Sequence, residues 1–278
     1  MLVFIQLAKA NCWRCDLMKV YEFGDKSKPA IMLFPGTCCY WKTNFGHVLE
    51  PLQEHFYTII VSYSGFDETE NSTFVSELDE VEKAESYIKE HLDGNLFAAY
   101  GCSLGGSVVS LLVGRHNIHI DHAIIGSSDM DQAPKWLSKL ETALVLPLIY
   151  PFLTGRENCF MKKKADKMIA SGGERAEYMR QFLDIMGLNS GINFSFISKE
   201  SVRNQFCTDL YTPVGEQISA PGTTIHVFYA LKMGEKYRAR YLKYFAAPDI
   251  REFDLQHEEL LLDADRWTKE VCLACGME

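Results

Sequence analysis

The residues that most constrain this chain are Gly101-Cys102-Ser103-Leu104-Gly105, followed by Gly106, set between two apolar runs. Upstream, Leu96-Phe97-Ala98-Ala99-Tyr100 has the length and composition of a buried strand. Downstream, Ser107 to Leu112 is apolar enough for a buried helix. A serine at such a strand-to-helix turn is held in a strained backbone conformation, with its hydroxyl pushed out over the sheet edge. The flanking residues must be glycine, because a Cβ there would strike the neighbouring strand or helix. The strand–turn–helix context, more than the bare pattern, carries the reading.

Strand-like and helix-like segments alternate around this box. Residues 2–8 and 17–23 read as two early strands, and Ala30 to Phe34 is a compact apolar strand ending at Pro35-Gly36. Phe45, Val48, Leu49 and Leu52 follow at helical spacing, and Phe56 to Ser62 has the β-branched content of a strand covered on both faces. Residues 74–92 carry Phe74, Leu78, Val81, Ala84, Ile88 and Leu92 at intervals of three or four, which predicts an amphipathic helix. His122 to Gly126, Thr223 to Ala230 and Ile250 to Leu255 complete the strands. Alternation of this kind predicts an α/β fold, a mainly parallel sheet with helices on both faces.

One stretch breaks the rhythm. From about 134 to 215 no strand pattern appears, and helical segments are predicted over 135–153, 159–170 and 174–186. The expected organisation is a core of residues 1–133 and 216–278, with 134–215 inserted as a helical cap over the carboxyl ends of the strands, where open α/β sheets bind ligands.

The order of these pieces resembles the α/β-hydrolase fold family over roughly residues 15–270. The resemblance rests on Phe34-Pro35-Gly36-Thr37 after an early strand, Trp41 and Phe45 in the next helix, and Ser64-Gly65-Phe66-Asp67 after the following strand. The serine box and Gln256-His257-Glu258-Glu259 after the last strand complete it. It implies a nucleophile, an acid and a histidine in that chain order.

Ser103 is the expected nucleophile. Its hydroxyl needs a base to take its proton, and a histidine near neutral pKa can do this and later protonate the leaving group. Of eight histidines, His257 alone follows the final strand-like segment in a polar loop. The acid that orients the imidazole usually stands in a Gly-x-x-Asp after the penultimate strand in this family. Here Gly234-Glu235-Lys236-Tyr237 puts a tyrosine at that place. Glu235 and Asp129 are the two candidates, with Asp131 a third. The resemblance assigns the oxyanion hole to the main-chain N–H groups of Leu104 and Thr37, with Cys38 an alternative to Thr37. Each such donor is worth roughly 3 kcal/mol.

The net charge of −9 leaves no large basic surface for nucleic acid. No window reads as a membrane span, and the apolar start lacks the flanks of a signal peptide. Nine cysteines, an odd number, suggest free thiols in a reducing cytoplasm. Cys12-x-x-Cys15 and Cys272-x-x-Cys275 stand at opposite ends of the chain and read as ordinary thiols, with structural zinc or a redox dithiol as minor readings. No nucleotide loop or H-E-x-x-H helix is present, so neither cofactor nor catalytic metal is expected. Together these features predict a serine hydrolase that cleaves an ester or related acyl bond of a small to medium molecule. A non-catalytic hydrolase-fold binding protein is the rival reading.

Overall fold

The structure is a computed structural model. It describes residues 18–155, 159–189, 191–192 and 194–277, and the backbone of 12–15. The strand expected over 2–8 lies outside the described residues. The helical segments given no label below are single 3-10 turns.

Eight strands form one sheet in the order β1-β2-β4-β3-β5-β6-β7-β8. They are β1 (Cys12–Cys15), β2 (Met18–Phe23), β3 (Ala30–Phe34), β4 (Tyr57–Ser62), β5 (Asn95–Gly101), β6 (His119–Ile125), β7 (Thr224–Ala230) and β8 (Asp249–Phe253). β1 and β2 run antiparallel to their neighbours, and β3 to β8 are all parallel. Ile31, Ile59, Ile60, Val61, Ala98, Ala99, Ile124 and Val227 are fully or almost fully excluded from water, as strands covered on both faces require.

Between β3 and β4 lie α1 (Trp41–Phe45) and α2 (Leu49–Gln53). α3 (Glu77–His91) follows β4, and α4 (Leu104–Arg115) follows β5. Four helices separate β6 from β7: α5 (Lys135–Leu153), α6 (Phe160–Ala170), α7 (Glu174–Ile185) and α8 (Lys199–Tyr211). α9 (Glu235–Tyr244) connects β7 to β8, and α10 (Ala264–Ala274) closes the chain.

The helix expected over 74–92 begins three residues late. The Phe74 ring is buried edge-on against Tyr63 and Phe66, its N–H donates to Ser201 Oγ, and its carbonyl accepts from Asn204 Nδ2. With both main-chain groups engaged by α8, Phe74 stays outside the helix. Ser76 instead caps α3 by accepting the Asp79 N–H at 3.1 Å.

α5 is long and apolar enough, by length and composition, to cross a membrane, which corrects the expectation that no window would be. Here it packs against α8 and α6. Its buried face carries Ser138, Thr142, Leu146 and Leu153, and Ser138 Oγ donates to the Cys207 carbonyl of α8 at 2.6 Å.

Candidate active site

Ser103 stands between β5 and α4 at φ 50° and ψ −112°, a combination that non-glycine residues rarely adopt. The turn is possible only because Gly101 and Gly105, two residues to either side, lack side chains. A Cβ on Gly101 would lie 2.1 Å from the Gly105 carbonyl oxygen, and one on Gly105 would lie 2.1 Å from that of Phe34. β5 and β3 are adjacent, with Phe34 paired to Gly101, so the Pro35–Cys39 loop emerges beside the serine.

Main-chain donors around this turn are almost all engaged. Gly105 N–H donates to Cys102 O and Gly106 N–H to Ser103 O, each at 2.8 Å. In the loop after β3, Gly36 N–H donates to the buried Asn44 Oδ1 at 3.2 Å, Cys38 N–H to Gln205 Oε1 of α8 at 2.7 Å, and Cys39 N–H to Gly36 O at 3.1 Å. Leu104 N–H and Thr37 N–H donate to no acceptor among the described residues. Leu104 is the first residue of α4, where a helix leaves its N–H groups unpaired and positively polarised. Cys38, the alternative to Thr37, has its N–H occupied.

Glu258, which the sequence reading passed over, lies against this turn. It is 3% exposed. One carboxylate oxygen accepts Ser103 N–H at 2.8 Å and the other accepts the Tyr100 hydroxyl at 3.0 Å. Gly126 makes the space: a Cβ there would fall 2.7 Å from Glu258 Oε1, 2.7 Å from Gly101 O and 2.9 Å from Tyr100 Oη. Glu258 takes φ 54°, a left-handed conformation that turns the loop after β8 back toward the sheet. Burial and, next, the Glu258 charge raise the pKa of the Cys39 thiol to about 12; the same two causes push the Cys102 thiol well above its usual range. Neither cysteine is a ready nucleophile.

His257 precedes Glu258, so its Cα is about 3.8 Å from that of the residue bonded to Ser103 N–H. Tyr178 of α7 steadies the loop by donating to the His257 carbonyl at 2.9 Å. Among the described residues no hydrogen bond joins the His257 ring to Ser103 or to a carboxylate.

Of the acid candidates, Glu235 is exposed as the first residue of α9, where a carboxylate favours the helix N-terminus. The loop position expected for it is therefore a helix start. Asp131 is taken by an ion pair with Arg240 Nη1 at 2.5 Å. Asp129 is partly buried after β6; its carbonyl accepts from Arg240 at 2.7 Å and its side chain accepts the Asp131 N–H at 3.3 Å. Burial, then the charges of Glu258 and Asp129, push the Tyr241 phenol above its usual range. The Tyr241 hydroxyl donates to the Ser128 carbonyl, next to Asp129 in the chain, at 2.6 Å.

A cavity of about 390 Å³ leads from Thr37 and Cys38 into the helical insertion. Its walls are largely apolar and include Met161, Met168, Met179 and Met186, with Lys164 and Arg175 the charged residues among those described. Methionine side chains adapt to irregular apolar ligands. Among the described residues no group of three or more His, Cys, Asp or Glu side chains could hold a metal. Cys272 and Cys275 are free and buried. The side chains of Cys12 and Cys15 lie outside the description.

Residues 29–148 match the family described as alpha/beta hydrolase fold. Solved structures with this architecture include an enol-lactonase from Burkholderia xenovorans LB400, with TM-score 0.69 and 15% identity, covering 96% of this chain and 100% of that one. A hydrolase from Pseudomonas aeruginosa PA01 has TM-score 0.69 and 13% identity, with 93% and 94% covered. A carboxylesterase from the thaumarchaeon Nitrososphaera gargenis has TM-score 0.63 and 11% identity, with 92% and 93% covered. No curated protein matches the chain by sequence.

Proposed function

We propose that this protein, which has the α/β-hydrolase fold, is a serine hydrolase that cleaves an ester or related acyl bond through an acyl-enzyme on Ser103. The observation that carries the proposal is the pair of uncommitted donors, Leu104 N–H and Thr37 N–H, beside a serine held at φ 50° while the surrounding N–H groups are engaged. Donors left unpaired next to a strained nucleophile are what an oxyanion hole requires: they are oriented before charge develops and need no reorganisation when it does.

In this reading Ser103 Oγ attacks the substrate carbonyl while His257 takes the hydroxyl proton. The carbonyl oxygen becomes an oxyanion bonded to Leu104 and Thr37 N–H. Collapse expels the alcohol, which leaves with the proton from His257 and the acyl group on Ser103. A water, deprotonated by His257, then releases the acid. In this reading Asp129 is the acid that orients His257, because it is partly buried after β6 while Glu235 is exposed at a helix start and Asp131 is held by Arg240. Helices α5 to α8 act as a cap, and the methionine-lined cavity below it receives the apolar part of the substrate. Two of the structural neighbours are an enol-lactonase and a carboxylesterase, which fits an ester substrate.

The test is hydrolysis of p-nitrophenyl esters of graded acyl length by the wild type and Ser103→Ala. The proposal expects turnover in the wild type, lost in the variant. A folded wild type that turns over no ester and releases no p-nitrophenol burst would leave the binding-protein reading in its place.

A further inference from the structure

α5 turns an apolar stripe to the outside of the molecule. At 100° per residue, Ser138, Thr142 and Leu146 fall on one side of the helix, and these are buried. Trp136, Leu140, Leu144 and Leu148, spaced four apart, form a stripe on the other side and are 68%, 52%, 67% and 43% exposed. A water-facing helix places its polar residues outward. This one buries a serine and a threonine and turns a tryptophan and three leucines out. Phe160, which opens α6 beside it, is 64% exposed. Among the described residues, half of the exposed large apolar side chains therefore lie on this one helical pair.

The charge of the same pair is also anomalous. In a chain of net charge −9, α5 and α6 carry six lysines against two acids, Glu141 and Asp166. Lys162 is paired with Asp166 at 3.8 Å, whereas Lys135, Lys139 and Lys163 make no ion pair with any described carboxylate. Lys139 also borders a groove of about 620 Å³ shared with Lys199 and Arg203 of α8. An apolar stripe ending in tryptophan, with the ion-pair-free Lys139 along one edge and Lys163 of α6 nearby, is the pattern of a helix that lies in the interface of an anionic bilayer, although Glu141 stands along the other edge and Lys135 Nζ lies 4.8 Å over the Tyr211 ring of α8.

We infer that the outer face of α5 docks this protein on an anionic lipid surface, with Trp136, Leu140, Leu144 and Leu148 entering the acyl boundary and Lys139 and Lys163 meeting the head groups. The surface is peripheral: the inner face of α5 remains bonded to α8. Docking is independent of turnover, because no residue of the stripe belongs to the site around Ser103.

The experiment is co-sedimentation of the purified protein with phosphatidylcholine vesicles, with and without 30 mol% phosphatidylglycerol, alongside light scattering without lipid. The wild type is expected to partition onto the anionic vesicles and to remain monomeric in their absence. Binding should fall as salt is raised. It should fall roughly fivefold for each lysine neutralised in Lys139→Gln and Lys163→Gln. Trp136→Ser/Leu140→Ser/Leu144→Ser/Leu148→Ser should fold, as its circular dichroism would show, and should no longer sediment with vesicles. Three results would each overturn the inference: no binding to anionic vesicles, equal binding to neutral ones, or equal binding by the fourfold variant. A lipid-free dimer that the fourfold variant abolishes would assign the stripe to a second copy of the chain instead.

Discussion

Replacing Glu258 by alanine strikes the contact that joins the loop after β8 to the nucleophile turn. The carboxylate accepts two hydrogen bonds, from Ser103 N–H at 2.8 Å and from Tyr100 Oη at 3.0 Å. Hydrogen bonds to a charged group contribute about 1.5–3 kcal/mol each, so their joint loss costs about 3–6 kcal/mol. Removing a buried charge recovers part of its desolvation cost, which leaves a net loss of about 2–4 kcal/mol. Glu258→Gln separates the two effects. Its amide oxygen can still accept from Ser103 N–H, and its NH2 can donate to the Tyr100 oxygen, because a hydroxyl both gives and takes. About 1 kcal/mol should be lost. Urea unfolding followed by far-ultraviolet circular dichroism measures both. The alanine variant should also label at Ser103 more slowly, because His257 is carried on the same turn. An alanine variant within 0.5 kcal/mol of wild type, or a glutamine variant as damaged as the alanine, would refute this account of Glu258.

Three further outcomes follow from the geometry. Asp129→Asn should lower kcat/KM for a p-nitrophenyl ester at least a hundredfold, while Glu235→Gln stays within about twofold; the reverse order would move the acid to α9. Gly105→Ala should not yield folded protein, since its Cβ would lie 2.1 Å from the Phe34 carbonyl oxygen, and main chain on both sides prevents relief. Stability should fall as pH rises between about 4 and about 8. Burial first, and then Asp129 and Asp131, raise the Asp209 carboxyl to about 8, and burial with Asp209 holds Glu77 well above its usual range. Both are protonated when folded and ionised when unfolded in that window, so the folded state binds more protons and loses ground as protons become scarce. Asp209→Asn should flatten that slope in thermal melts taken from pH 5 to pH 8.

The parts of the site legible in the sequence were those with local causes. Gly101 and Gly105 announced the turn at Ser103 because a tight strand-to-helix junction admits no Cβ, and the approach of Phe34 O to Gly105 gives the reason. The end of α5 was readable from its own spacing, and the observed helix ends at Leu153 as the pattern predicts. What depended on distant partners was hidden. Glu258 reads as one acid among several in a polar loop, yet its partner Ser103 is 155 residues away in sequence. Phe74 continues a helical pattern and is held outside the helix by Ser201 and Asn204, more than 120 residues downstream. Glu235 was a candidate only as the carboxylate nearest the expected Gly-x-x-Asp position, and it opens α9 instead. The choice between Thr37 and Cys38 as second donor stayed open in the sequence, because the group that occupies Cys38 N–H, Gln205, is 167 residues downstream.

The central claim is that Ser103 is an activated nucleophile, and the most direct measurement is intact-mass spectrometry after exposure to a fluorophosphonate, with the adduct mapped by peptide sequencing. The account predicts one adduct per chain, located on Ser103, absent in Ser103→Ala and formed far more slowly in His257→Ala. A folded wild type that takes up no label, or one that labels at the same rate without His257, would contradict it.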